Sequence, residues 1–274
     1  MALRGIFLQR KGMVINMRLY LNFISMNLKS QMQYKVSFLL TIFGQFITAF
    51  TAFFGLYFIF SRVSGVDGFT NRQVFLCFAI IMMAFSLGEM FGGGFAVFPR
   101  LLGNGEFDRA LVRPRNIILQ ILTPNMDFTR LGLLIQAIIV LCYAIPISGI
   151  MWTWQKIVTF CLMILCGSAL FFGLFLINAA CSFFTIEGME FMNIFTYGAR
   201  QFGRFPFSAY GNGVLKFLTF VIPLALIQYY PLLYLLDKEQ NVLFMFLPVA
   251  ALLFLIPSYG FFRFGLSRYK SIGS

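Results

Sequence analysis

One carboxylate, Glu89, stands well inside a long apolar run, flanked by Gly88 and Gly92. A charge held in hydrocarbon is expensive, so such a residue is either a functional group or a structural partner for a neighbouring helix. The other concentration of chemistry is the segment Arg100–Arg115, the densest run of mixed charge in the chain. Within it Gly103 and Gly105 punctuate a turn, Asp108 is placed to cap a short helix, and Pro114 to stop it. The pattern predicts a compact charged knob. Phe107 and Leu111 would anchor it in a groove of a soluble partner, with Glu106, Arg109 and Arg113 among the charges that set orientation. An ordinary solvated loop would use the same residue types. Glu187 and Glu190, one turn apart, read as surface charges at a span boundary.

The elements that position these residues follow from composition. Val36–Phe60 carries no charge, and as a helix it would reach roughly 37 Å, enough to cross a hydrocarbon core of ~30 Å with tilt. Comparable runs follow. The chain is 60% hydrophobic and 11% charged, against about 25% charged in soluble domains. The runs are uniformly apolar rather than alternating, which selects helices over barrel strands. The expected fold class is therefore all-α, a polytopic integral membrane protein, and the 38 phenylalanines serve mainly to fill space.

Composition also excludes function classes. There is no histidine, which removes the usual general base and the commonest zinc ligand, so no metal site is expected. No Gly-Lys pair occurs, so the chain cannot hold nucleotide by a P-loop, and no cofactor of its own is expected. The five cysteines lie in or beside apolar runs and form no C-x-x-C motif. Gly5-Ile6-Phe7-Leu8 is too short to be the apolar region of a cleavable signal. The net charge of +12 is not one nucleic-acid patch. It is spread over an N-terminal group (Arg4, Arg10, Lys11, Arg18, Lys29, Lys35), a group after the second span (Arg100, Arg109, Arg113, Arg115, Arg130) and a tail (Arg263, Arg268, Lys270). The positive-inside rule places all three on the cytoplasmic side, with both termini inside and an even number of spans.

Along the chain, residues 1–35 form a cytoplasmic N-terminus. Arg18, Asn22, Ser25, Lys29 and Gln33 recur at helical steps, with Met17, Leu21, Ile24 and Leu28 on another face. This predicts an amphipathic interfacial helix over 13–34, or an extension of the first span. Residues 36–262 form one transmembrane domain and 263–274 a cytoplasmic tail. Spans are expected at about 36–60, 74–98, 131–150, 157–180 and 242–262, the last broken at Pro248 and Pro257. A short outer loop runs from Ser61 to Gln73, and 100–130 is a cytoplasmic segment. The region after Cys181 is ambiguous. Hydropathy alone selects 217–235 as span five, although Pro223 and Pro231 interrupt it.

Gly105-Glu106-Phe107-Asp108, Leu111 and Arg113-Pro114 resemble the G-x-x-D-x-x-L-x-R-P stretch of six-span permeases of the type-2 ABC transporter family. Arg204-Phe205-Pro206, then Phe220-Val221-Ile222-Pro223-Leu224-Ala225 and Tyr229-Tyr230-Pro231, resemble that family's later pattern. The resemblance implies a permease subunit of an ABC exporter in a bacterial-type plasma membrane. Two cytoplasmic ATPase subunits, using ATP and Mg, would drive it, and a second permease, identical or homologous, would complete the pathway. Gly105 to Pro114 would be the coupling helix and 13–34 the connecting helix. Residues 186–204 become span five, and about 205–235 a pair of broken helices entering from the outer side, which puts Arg204 and Lys216 outside. Gly88, Glu89, Gly92, Phe205, Pro206, Pro223, Tyr229 and Pro231 would then serve the translocation pathway or helix packing. The alternative is a secondary transporter driven by an ion gradient. A single buried Glu89 and no visible repeat argue against that.

Overall fold

The computed structural model describes residues 17–62, 65–113, 115–185 and 189–269. The readings made above for Arg4, Arg10, Lys11, Pro114, Glu187 and Lys270 fall outside them, as do those for the side chains of Met17, Arg18 and Glu190. The described residues form an all-α polytopic membrane protein. Five helices are long and apolar enough to cross a membrane, or six if one bent pair counts as a span.

Helix α1 (Met17–Gln31) passes through a 3-10 turn, Met32–Tyr34, directly into α2 (Lys35–Arg62). Backbone angles on both sides of the turn are helical. The amphipathic segment therefore continues the first span instead of breaking from it. A two-stranded hairpin, β1 (Gly65–Val66) and β2 (Phe69–Thr70), reverses the chain through Asp67 and Gly68, both at positive φ. Helix α3 (Asn71–Gly92) is the centre of the bundle, and most of its residues are buried. Two other spans flank it, α7 (Leu131–Ile147) and α8 (Trp154–Cys181). Close approach of α3 to α8 requires small residues. A Cβ on Gly88 would lie 2.7 Å from Cβ of Phe171 and 2.9 Å from the Ser168 carbonyl, and one on Gly92 would meet the Phe172 ring at 3.2 Å. The shape of that contact is the G-x-x-x-G logic of membrane helices.

The last span consists of α14 (Leu243–Ala251) and α15 (Leu255–Arg268), joined by a 3-10 turn at Leu252–Phe254. Pro248 and Pro257 thus tighten a continuous span and do not cut it. Between α8 and α14 the structure gives neither sequence reading whole. Helix α9 (Met189–Asn193), a π-turn (Ile194–Gly198) and α10 (Ala199–Phe202) make one helical stretch. Its described part rises roughly 21 Å, short of a ~30 Å hydrocarbon core. Then come α11 (Asn212–Phe220), α12 (Leu224–Ile227) and α13 (Tyr229–Leu235), bent by 85° at the break. Pro223, buried, sits at that break with ψ 47, so 217–235 is not one straight helix.

Candidate functional site

The knob is real and rigidly mounted. Helices α4 (Phe98–Gly103) and α5 (Glu106–Leu111) meet at a turn where Gly105 takes φ +69, a conformation that disfavours any side chain. The elbow they form is bolted to the bundle by rings. Phe107 lies edge-on to Phe98 at 5.0 Å and to Tyr269 at 5.2 Å, and Phe183 packs on both Phe98 and Phe107, at 5.1 and 5.7 Å. Phe262 closes the cluster against Phe98 and Phe183. Spans α8 and α15 both end here.

Two expectations are thereby corrected. Phe107 is 1% exposed and fully buried within its own chain, so it holds the elbow and offers nothing to a partner. Its neighbours Ala110 and Leu111 are half-buried on the same face. Asp108 does not cap α5 either. The N-cap is Gly105, and Asp108, one turn in, accepts a hydrogen bond from the Tyr269 hydroxyl at 3.1 Å. The surface left to a partner is Glu106, Arg109 and Arg113, with Val112 81% exposed at the tip.

On the other side of the elbow, α1 clamps the returning chain. Asn27 Nδ2 donates to the carbonyls of Thr123 (3.1 Å) and Met126 (3.0 Å), Gln31 Nε2 donates to Met126, and the Phe128 amide donates to Gln31 Oε1 (3.1 Å). Between α1, the elbow and α6 (Ile117–Leu122) lies a pocket of about 330 Å³ edged by Arg109, Arg113, Arg115 and Tyr20.

Glu89 is 1% exposed, near the elbow end of α3. Its partner is Arg130, whose Nη2 lies 3.3 Å from Oε1. Arg130 also holds Asp127 through Nε at 3.1 Å and donates from Nη1 to Gln45 Oε1 at 3.3 Å. The network joins α2, α3 and the turn leading into α7. The Tyr197 hydroxyl stands beside the Glu89 carboxylate, and Arg200 is within electrostatic reach. In the sequence Arg130 reads as one of the loop charges, and nothing there marks Gln45 or Tyr197. A signal existed: Arg130 directly precedes span three, where it meets the elbow end of antiparallel span two.

The later residues gather at the opposite end of the bundle. Phe205 packs on Phe60 at 6.0 Å and Tyr229 on Phe69 at 6.2 Å, while Pro206 and Pro231 are buried. Gln228, fully buried, ties this irregular stretch together by donating to the carbonyls of Gly203 (3.0 Å) and Phe205 (3.2 Å). Non-helical backbone at this depth is stable because protein groups satisfy it. Arg204 packs within the bundle, over the Phe78 ring at 5.7 Å. Gly88, Glu89 and Gly92 are separated from the Phe205–Tyr229 group by much of the length of α3.

Among the described residues no group of side chains is arranged to hold a metal ion. The described residues thus form a membrane bundle that carries an elbow on its spans and an internal break in a late one. Residues 46–273 match the model of a family described as ABC-2 family transporter protein, and the chain belongs to that family. It is an ABC transporter permease, a membrane component of that family. No curated protein and no solved structure matches it.

Proposed function

We propose that this chain is the pathway-forming subunit of an ABC exporter. Two cytoplasmic ATPase subunits bind Mg and ATP and press on the elbow, and a second permease copy or homologue supplies the other half of the route. The elbow end is the cytoplasmic side of the plasma membrane, with both termini there, and α11–α13 enter from the outer side. The observation that carries this reading is the mounting of the elbow. Its charged rim and Val112 are free, while Phe107 is welded to the ends of two spans. A push on the rim therefore moves helices and does not bend a loop.

The test is co-purification from native membrane followed by reconstitution. The expected result is a P-loop ATPase bound to the wild-type chain, ATP-dependent transport, and loss of both in the variant Val112→Asp/Arg113→Glu with insertion intact. Transport driven by a proton or sodium gradient with the chain alone would overturn the proposal in favour of a secondary transporter.

A further inference from the structure

Arg200 and Arg204 lie one turn apart on and just after α10, and both reach into the bundle. The Arg200 guanidinium sits over the Phe85 ring at 4.6 Å and the Arg204 guanidinium over Phe78 at 5.7 Å. Phe78 and Phe85 lie roughly 10 and 21 Å along α3 from its start, so both cations stand at hydrocarbon depth. Neither makes an ion pair among the described residues. Glu89, the carboxylate in reach of Arg200, is already bound to Arg130. The Nε atoms of both arginines are buried without a hydrogen-bond partner, yet both residues remain partly exposed. Ring faces hold a guanidinium flat but do not neutralise it. Intramembrane charges are otherwise paired or face a pathway. The two cations, each held against an aromatic ring and in electrostatic reach of one another, thus lack a counter-ion of their own among the described residues. The walls beside them are apolar, with Ile194 and Phe202 exposed on the same helical stretch.

We propose that Arg200 and Arg204 are the headgroup subsite of this permease, and that its cargo is an anionic amphiphile with a phosphate or carboxylate on an apolar tail. As a statement about cargo this rests on the permease reading; as a statement about binding it stands alone. Planar guanidinium forks suit both oxyanions and bind them through paired hydrogen bonds.

The experiment measures binding to the purified full chain in nanodiscs of zwitterionic lipid, without ATP. The probes are dodecyl phosphate, dodecyltrimethylammonium and inorganic phosphate. Dodecyl phosphate is expected to bind, the cationic probe at least tenfold more weakly, and inorganic phosphate alone not to displace the bound probe. Arg200→Gln and Arg204→Gln should each weaken dodecyl phosphate by about tenfold, and the Arg→Lys variants should retain most of the preference for anion over cation. If a Gln variant fails to fold, the Lys variants and the wild-type selectivity decide. Competition by phosphatidylglycerol identifies a bilayer lipid as the source of the anion, and its absence a single-chain compound; both support the site. Equal binding of the anionic and cationic probes overturns it. So do Gln variants that change oligomeric state but not binding, since the arginines would then serve a subunit contact. Anion binding without ATP-driven transport in the reconstituted complex would leave the subsite standing and remove the exporter reading; transport without anion selectivity would do the reverse.

Discussion

Breaking the Glu89–Arg130 pair from its two sides should have unequal costs. At 3.3 Å and an effective dielectric of 20, the Coulomb attraction is about 5 kcal/mol, and desolvation offsets a large share of it. In Glu89→Gln, Arg130 keeps Asp127 at 3.1 Å and Gln45 at 3.3 Å. The loss is then one charged contact, about 1.5–3 kcal/mol. In Arg130→Gln, Glu89 is left at 1% exposure with no cation bound to it, and the expected cost is about 3–5 kcal/mol. The double variant removes the stranded charge and should cost little more than Glu89→Gln alone, so the coupling nearly equals the Arg130→Gln cost, about 3–5 kcal/mol. Unfolding of the four proteins in mixed detergent micelles reads these differences. If the single costs add in the double variant, or if Glu89→Gln is the worse of the two, the pair is not the unit described.

Phe107→Ala should lower stability by about 3–5 kcal/mol through the cavity it opens, measured by thermal unfolding. Val112→Asp, at an exposed tip, should leave stability unchanged and reduce only ATPase co-purification. Gly88→Leu should push α3 off α8, and its cost, about 1–3 kcal/mol, should be visible as loss of monodisperse protein. Lys156 is 7% exposed and 2.7 Å from Asp237, which is 65% exposed. Asp237→Asn, which strands the buried ammonium, should therefore destabilise the chain more than Lys156→Met, which removes it.

The spans were legible because hydrocarbon imposes one condition, an uncharged run of sufficient length, and four of them meet it plainly. The region after Cys181 does not. There the described part of the stretch holding Arg200 and Arg204 is short, and the helices after Pro223 are stabilised by contacts such as Gln228 with Gly203 and Phe205, which join distant residues. No window of sequence contains such a bond. The elbow shows a different kind of miss. Phe107, Ala110 and Leu111 lie on one helical face, and Glu106, Arg109 and Arg113 project elsewhere. That period already marked Phe107 as inward-facing, but its place in a charged loop suggested the opposite. The hairpin at Asp67-Gly68 was also written locally, since that dipeptide is a strong two-residue turn signal. Arg130 was hidden because its role depends on which spans are antiparallel neighbours, a tertiary fact.

Residues 19–62 count as one helix, roughly 66 Å from end to end. Most of its apolar surface is left bare by the rest of the chain. A strut that long is unable to absorb displacement by stretching, so a shift where Asn27 and Gln31 grip the incoming strand reappears as tilt beside the hairpin. Acyl chains slide past a bare flank and wet it equally well at every angle. Swinging on that flank therefore meets little resistance, and the strut pivots on its one tight seam, where Gly132 lies against Ile42 and Gln45, to report at one rim what is done to the other.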